Sequence, residues 1–180
     1  TGKNKPKVDD MAIIAMGKMG AQELNLSSDI DLIFVHQGQG DTDGDKVNGT
    51  KSIDNKKFFT KWGQGIIELL DKHTQDGFVF RIDMRLRPSG QAGMMVVSAH
   101  AFELYQLQKA WAWEHQALVR ARAICGDHRV MTKFDRIRHT VLCLPRDKDS
   151  VRIEVSTMRH KMQDHLGSDK HTKQKGLFHL

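Results

Sequence analysis

Cysteine is scarce in this chain: 180 residues hold only Cys125 and Cys143. The pair has neither metal-type spacing nor a disulfide framework, so both read as small apolar residues in a reducing compartment, and neither is a favoured nucleophile. Long hydrophobic runs are missing too. Nothing nears the roughly 20 apolar residues of a membrane span, and the opening TGKNKPKVDD has no apolar signal core. These absences point to the cytoplasm, with no membrane partner. The ten histidines form no metal-spaced cluster. The P-loop frame G-x-x-x-x-G-K-[ST] is absent, and no internal repeat is present. The sequence begins on Thr1 and stops on the apolar GLFHL, which leads us to expect a piece of a longer polypeptide.

What is there is an ordinary apolar fraction of 39% and a net charge of +6. The first suits a folded core; the second suits an anionic ligand, either nucleic acid or nucleotide phosphates, but is common in plain globular domains too.

The run MAIIAM (11–16) reads as a buried strand entering the glycine turn GKMG, and AQELNL could hold a helical turn. In SSDIDLIFV the residues alternate: Ile30, Leu32 and Phe34 face one way, and Asp29, Asp31 and Ile33 the other. The stretch QGQGDTDGDKVNGTKS (37–52) reads as an exposed loop that lacks the closing Glu of an EF-hand. After Asp54, a candidate N-cap, Phe58, Trp62, Ile66, Leu69 and Leu70 keep helical spacing to about residue 72. FVFRIDMRLR (78–87) returns to alternation, with Phe78, Phe80, Ile82, Met84 and Leu86 on one face and Arg81, Asp83, Arg85 and Arg87 on the other. Residues 94–97 suit one more strand. From residue 98 the pattern is helical: 102 to about 122, then Val130, Phe134, Ile137 and Val141, then, beyond Pro145, Val151, Val155, Met158 and Met162. We therefore expect an α/β or α+β core over residues 1–97, followed by a helical extension over 98–180. Trp62, Trp111 and Trp113 are expected in the core.

The acids carry the chemistry. Asp29 and Asp31, two apart on a strand, project from one face with Cα atoms roughly 6.5 to 7 Å apart, so both carboxylates can grip one pair of hard cations. The same pattern also describes a strand whose polar face meets solvent. Asp83 sits mid-strand, where Asp has poor propensity, and could bring a third carboxylate to the pair or merely neutralise Arg81 or Arg85.

The order of strand, glycine turn, acid-apolar-acid strand and later strand acid resembles the nucleotidyltransferase superfamily, and the resemblance implies an α+β fold with a mixed sheet and flanking helices. Three longer stretches, MGKMGAQELNLSSDIDLIF, TQDGFVFRIDMRLRPSGQAG and WAWEHQALVRARAICGD, resemble the glutamine synthetase adenylyltransferase/adenylyl-removing family, over residues 11 to 166. RLRPSGQAGMMVVSAHAF and LPRDKDS look more like its C-terminal, adenylylating domain than like the adenylyl-removing one. The resemblance implies AMP transfer from ATP to a tyrosine of glutamine synthetase, with control by a PII-type signal protein through the full-length enzyme. It implies that Asp29, Asp31 and Asp83 are catalytic and bind Mg2+, in all two ions. Gly17, Lys18, Gly20, Ser28, Arg85 and Arg87 would be the nucleotide-binding residues, although Lys18 stands where many superfamily members have Ser. The rival within the family is phosphorolysis of AMP-modified synthetase. The rival outside it is a basic nucleic-acid-binding module, which the acids interleaved through 146–175 weaken. Glu114, Arg120 and Arg122 are left as helix surface charge.

Overall fold

The computed structural model describes residues 10–38, 40–42, 51–75 and 77–160. Most of the expected loop at 37–52, and Met162 of the last helix, lie outside these residues.

A five-stranded mixed sheet forms the centre. Strand β1 (Met11–Ala15) pairs antiparallel with β2 (Ile30–His36). Strand β2 in turn has two parallel neighbours, β3 (Ile82–Asp83) beside its start and β4 (Val96–Ser98) beside its end. The other edge of β1 is covered by β5 (Arg122–Gly126). The alternation in β2 sorts its side chains as expected: Ile30, Leu32 and Phe34 enter one apolar cluster, Ile33 and Val35 the other.

Helices lie on both faces. On one, α2 (Asn55–Asp71) starts where the Asp54 carboxylate accepts from the Lys57 N–H at 3.3 Å, and it presses Phe59 onto Phe34 and Val96. On the other lie α3 (Ala99–Gln108), α4 (Ala112–Val119) and α5 (His128–Leu142). Val130, Phe134, Ile137 and Val141 of α5 are all buried, as the i, i+4, i+7, i+11 spacing predicts. The rings of Phe102 and Phe134 meet at 5.6 Å. Each fully buried aliphatic or aromatic side chain contributes about 1.5–3 kcal/mol relative to exposure. Residues 148–160 are also helical, with Val151, Val155 and Met158 half-buried.

Several expectations are corrected. The helix expected over 102–122 is two helices broken at 109–111, and its end gives way to β5, which returns to the sheet. Strands therefore do not stop at residue 97, and the segment from 98 onward is not helical throughout. RAICG is short enough that only its pairing with β1, more than 100 residues earlier, makes it a strand. The strand expected over 78–87 shrinks to two residues. Its alternation fails after Met84, and Leu86 packs against the opposite cluster from Ile82. The helical turn expected in AQELNL falls instead on GKMG, as the one-turn helix α1 (Gly17–Gly20). Trp111 is exposed rather than in the core, and both free cysteines are exposed. His36 is buried and stacks on Phe59.

Candidate active site

The acids gather where β1 ends and β2 and β3 begin. Asp31 and Asp83 are register partners on parallel neighbours, so both carboxylates leave the same face of the sheet side by side. The Met16 N–H donates to the Asp31 carbonyl at 2.9 Å, and the Ile30 N–H to the Arg81 carbonyl at 2.9 Å, which locks the three segments together. A cavity of about 450 Å³ opens above them. Its wall includes Gly17, Lys18, Ser28, Asp29, Asp31, Asp83 and Arg85, and also Asn25, Ser27, Arg81 and Arg120.

Gly17 adopts φ +52°, and a Cβ there would collide with the Asp31 carboxylate. Only glycine satisfies both the backbone and the close approach. Gly20 serves the turn differently, since its own Cβ position is filled by the Ala15 and Arg120 carbonyls. Its carbonyl accepts from Arg122 Nε at 3.1 Å, while the Met19 carbonyl accepts from Arg122 Nη2 at 3.1 Å. Lys18 Nζ donates to Ser28 Oγ at 3.1 Å across the cavity mouth.

The three carboxylates differ in partners. Arg81 binds Asp29. The Arg85 N–H and Nε donate to the two oxygens of Asp83 at 2.8 and 2.7 Å, and these bonds hold the Asp83 carboxyl below the usual carboxylate range. Asp31 accepts no side-chain hydrogen bond among the described residues. Burial pushes its carboxyl up, and the charges of Asp83 and Asp29 push it further, against the pull of Arg85. A half-buried carboxylate beside two others is held at an electrostatic cost that a cation would relieve. As the side chains stand, no three His, Cys, Asp or Glu residues among those described could hold one metal ion. Two of the three acids are instead paired with arginines, Asp29 with Arg81 and Asp83 with Arg85.

Arg87 lies elsewhere. Its guanidinium donates to the Met84, Gln91 and Gly93 carbonyls and closes the PSGQAG turn, outside the cavity wall. The strand alternation that would aim it beside Asp83 has ended before the chain reaches it.

The family model for glutamate-ammonia ligase adenylyltransferase matches residues 1–137. This chain belongs to that family. Three curated bifunctional glutamine synthetase adenylyltransferase/adenylyl-removing enzymes are similar to it. The one from Pseudomonas aeruginosa is 50% identical over 88% of the chain and 16% of the relative. The one from Acinetobacter baylyi is 48% identical over 94% and 18%, and the one from Pseudomonas syringae pv. tomato 49% over 87% and 16%. The chain thus spans about a sixth of the length of the curated relatives it matches.

Within this member of the glutamate-ammonia ligase adenylyltransferase family, sequence reasoning missed Asn25, Ser27 and Arg120 in the cavity wall, and the charged one is Arg120. It follows α4, lines the cavity beside the glycine turn, and pairs with Glu23 at 3.2 Å. The signal was present in the family-like WAWEHQALVRAR, but helical periodicity makes Arg120 indistinguishable from surface charge. Among the described residues no helix is long and apolar enough to cross a membrane.

Proposed function

We propose that this chain carries a nucleotidyl-transfer site that moves AMP from ATP to a tyrosine hydroxyl of glutamine synthetase. The observation that carries the reading is the Asp31–Asp83 pair on parallel neighbours, with Asp31 unpartnered among the described residues and packed against Gly17.

Asp31, Asp83 and Asp29 would hold Mg2+, whose preference for carboxylate and phosphate oxygens suits this donor set. Bound there, Mg2+ supplies Lewis-acid chemistry, lowering the pKa of an attacking hydroxyl and drawing charge from phosphoryl oxygens. Lys18 and Arg120, on the glycine-turn side of the cavity, bind the polyphosphate. Arg81 and Arg85, which pair with Asp29 and Asp83, line the same cavity and would supply positive charge to phosphoryl oxygens where negative charge grows. Gly17 keeps the approach free of a side chain. The tyrosyl oxygen bonds to the α-phosphorus in line, the bond to the bridging oxygen breaks, pyrophosphate leaves, and the hydroxyl proton passes to solvent.

The test follows α-labelled ATP onto unmodified glutamine synthetase, and in parallel the release of AMP from modified synthetase with phosphate. Label on the synthetase, lost in Asp83→Asn, is the expected result. Release of AMP without labelling assigns the chain to the adenylyl-removing reaction instead. Labelling by a folded Asp83→Asn variant at the wild-type rate would sink the carboxylate assignment.

A further inference from the structure

The cavity over the three acids shares a wall with a second, larger one. Asn25, Ser27, Ser28, Asp29 and Arg81 border both. The second cavity, about 970 Å³, continues away from the acids along Leu24, Leu26, Phe78, Val79 and Phe80. Leu26, Phe78 and Val79 are exposed, at 109%, 52% and 61%. Three large apolar side chains grouped in the open, against one rim of a charged site, make a surface that water covers poorly.

The sheet order gives this groove a direction. Strands run β3-β2-β1, with Asp31 on the middle one. The glycine turn and Arg120 lie on the β1 side, Lys18 reaches from that turn across the cavity mouth to Ser28, and the groove's FVF segment leads into β3 on the other side. In-line displacement requires the incoming hydroxyl to stand opposite the leaving pyrophosphate. With the polyphosphate on the β1 side, the hydroxyl arrives from the β3 side, where the groove opens.

We infer that the groove formed by residues 24–28 and 78–81 seats the segment of the protein acceptor that carries the reactive hydroxyl, and so selects the acceptor. This rests on the reading of the site given above and deepens it. The relatives' names make the acceptor a protein, glutamine synthetase. A protein acceptor supplies both parts: a hydroxyl that enters the cavity of Asp31 and Asp83, and neighbouring apolar side chains to cover Leu26, Phe78 and Val79 in the groove. A nucleotide, whose polyphosphate takes the opposite side, leaves these residues uncovered.

Two measurements on the whole chain test this, and neither needs turnover. With Val79 replaced by p-benzoylphenylalanine, illumination beside unmodified glutamine synthetase should crosslink to the synthetase peptide that carries the acceptor tyrosine. ATP with Mg2+ should not prevent it. In the double variant Leu26→Ser/Val79→Ser, affinity for the synthetase should fall by about tenfold or more, because two apolar contacts are lost. Affinity for ATP, read by calorimetry, should stay within about twofold of wild type. Loss of ATP affinity in the double variant, or labelling of residues 78–81 by 8-azido-ATP, would make the groove the seat of the base and overturn the inference. So would the absence of any crosslink to the synthetase. If the wild-type chain binds ATP but neither labels nor contacts the synthetase, the proposed function fails with it; if it labels the synthetase and the double variant binds as well as wild type, only the groove assignment falls.

Discussion

Replacing Asp31 with Asn should make the protein more stable while abolishing its chemistry. Asp31 and Asp83 are register partners, with Cα atoms about 4.8 Å apart across the strands. Two carboxylates about 5 Å apart repel by about 3 kcal/mol at an effective dielectric constant of about 20. Half-exposure and the opposing charge of Arg85 bring this down to about 1 kcal/mol. For a chain of this size that is a rise in Tm of about 2–4 °C. The sign with pH follows from the raised carboxyl. The penalty is absent below the ordinary value of 3.8, grows as pH climbs through the folded-state value, and is fully present near neutrality. The lowered carboxyl of Asp83 acts oppositely, stabilising above 3.8 and losing that contribution as pH falls; with the repelling Asp31 charge removed this contribution is no smaller in the variant, which adds to the variant's advantage at neutral pH. Thermal denaturation in chelator-containing buffer at pH 7.5 and pH 4 reads the difference. The variant should melt higher at pH 7.5 and level with wild type near pH 4. Adding Mg2+ should raise the wild-type Tm and leave the variant unmoved. A variant that melts lower at pH 7.5 without metal, or keeps its advantage at pH 4, would refute the account of Asp31 as an uncompensated charge.

Gly17→Ala places a Cβ against Asp31 at φ +52°, which costs about 1–2 kcal/mol in backbone strain alone. Calorimetry should show weaker binding of Mg2+ and ATP, and unchanged affinity in the folded variant would make the turn purely structural. Arg122→Gln removes the clamp on the Gly20 and Met19 carbonyls; a loss of about 1.5 kcal/mol is expected in urea unfolding, together with a raised KM for ATP, whereas an unaltered KM would separate the clamp from the site. Phe134→Ala empties a fully buried position against Phe102 and should cost about 3–5 kcal/mol in urea unfolding. A cost below about 1 kcal/mol would show that α5 is not anchored there.

Much of this was legible because it is local. Helices α2 and α5 carry their apolar stripes in plain spacing, Asp54 announces the start of α2, and the alternation in β2 sorts Ile30 from Asp31 without knowledge of any neighbour. What escaped depends on partners distant in the chain or on the path of a loop. RAICG becomes a strand only beside β1. Arg87 turns from the cavity because three carbonyls of its own loop claim its guanidinium, and a period-two pattern says nothing of loop carbonyls. Arg120 looks like helix surface until its backbone is seen packed against Gly20. The sharing of one cavity by Asp29, Asp31 and Asp83 was anticipated from their strand positions, but their engagement by Arg81 and Arg85 was not.

The late return of β5 to the sheet bears on how this protein can be cut. A polypeptide trimmed at residue 97 would keep all three carboxylates and the glycine turn, and by inspection of motifs it would look sufficient. It would also strip one side of β1, exposing a row of unpaired N–H and C=O groups on a strand whose side chains are apolar in both directions. Such an edge is a template for pairing with another copy of itself, so the shortened product should collect in inclusion bodies while one that runs through residue 142 stays dispersed.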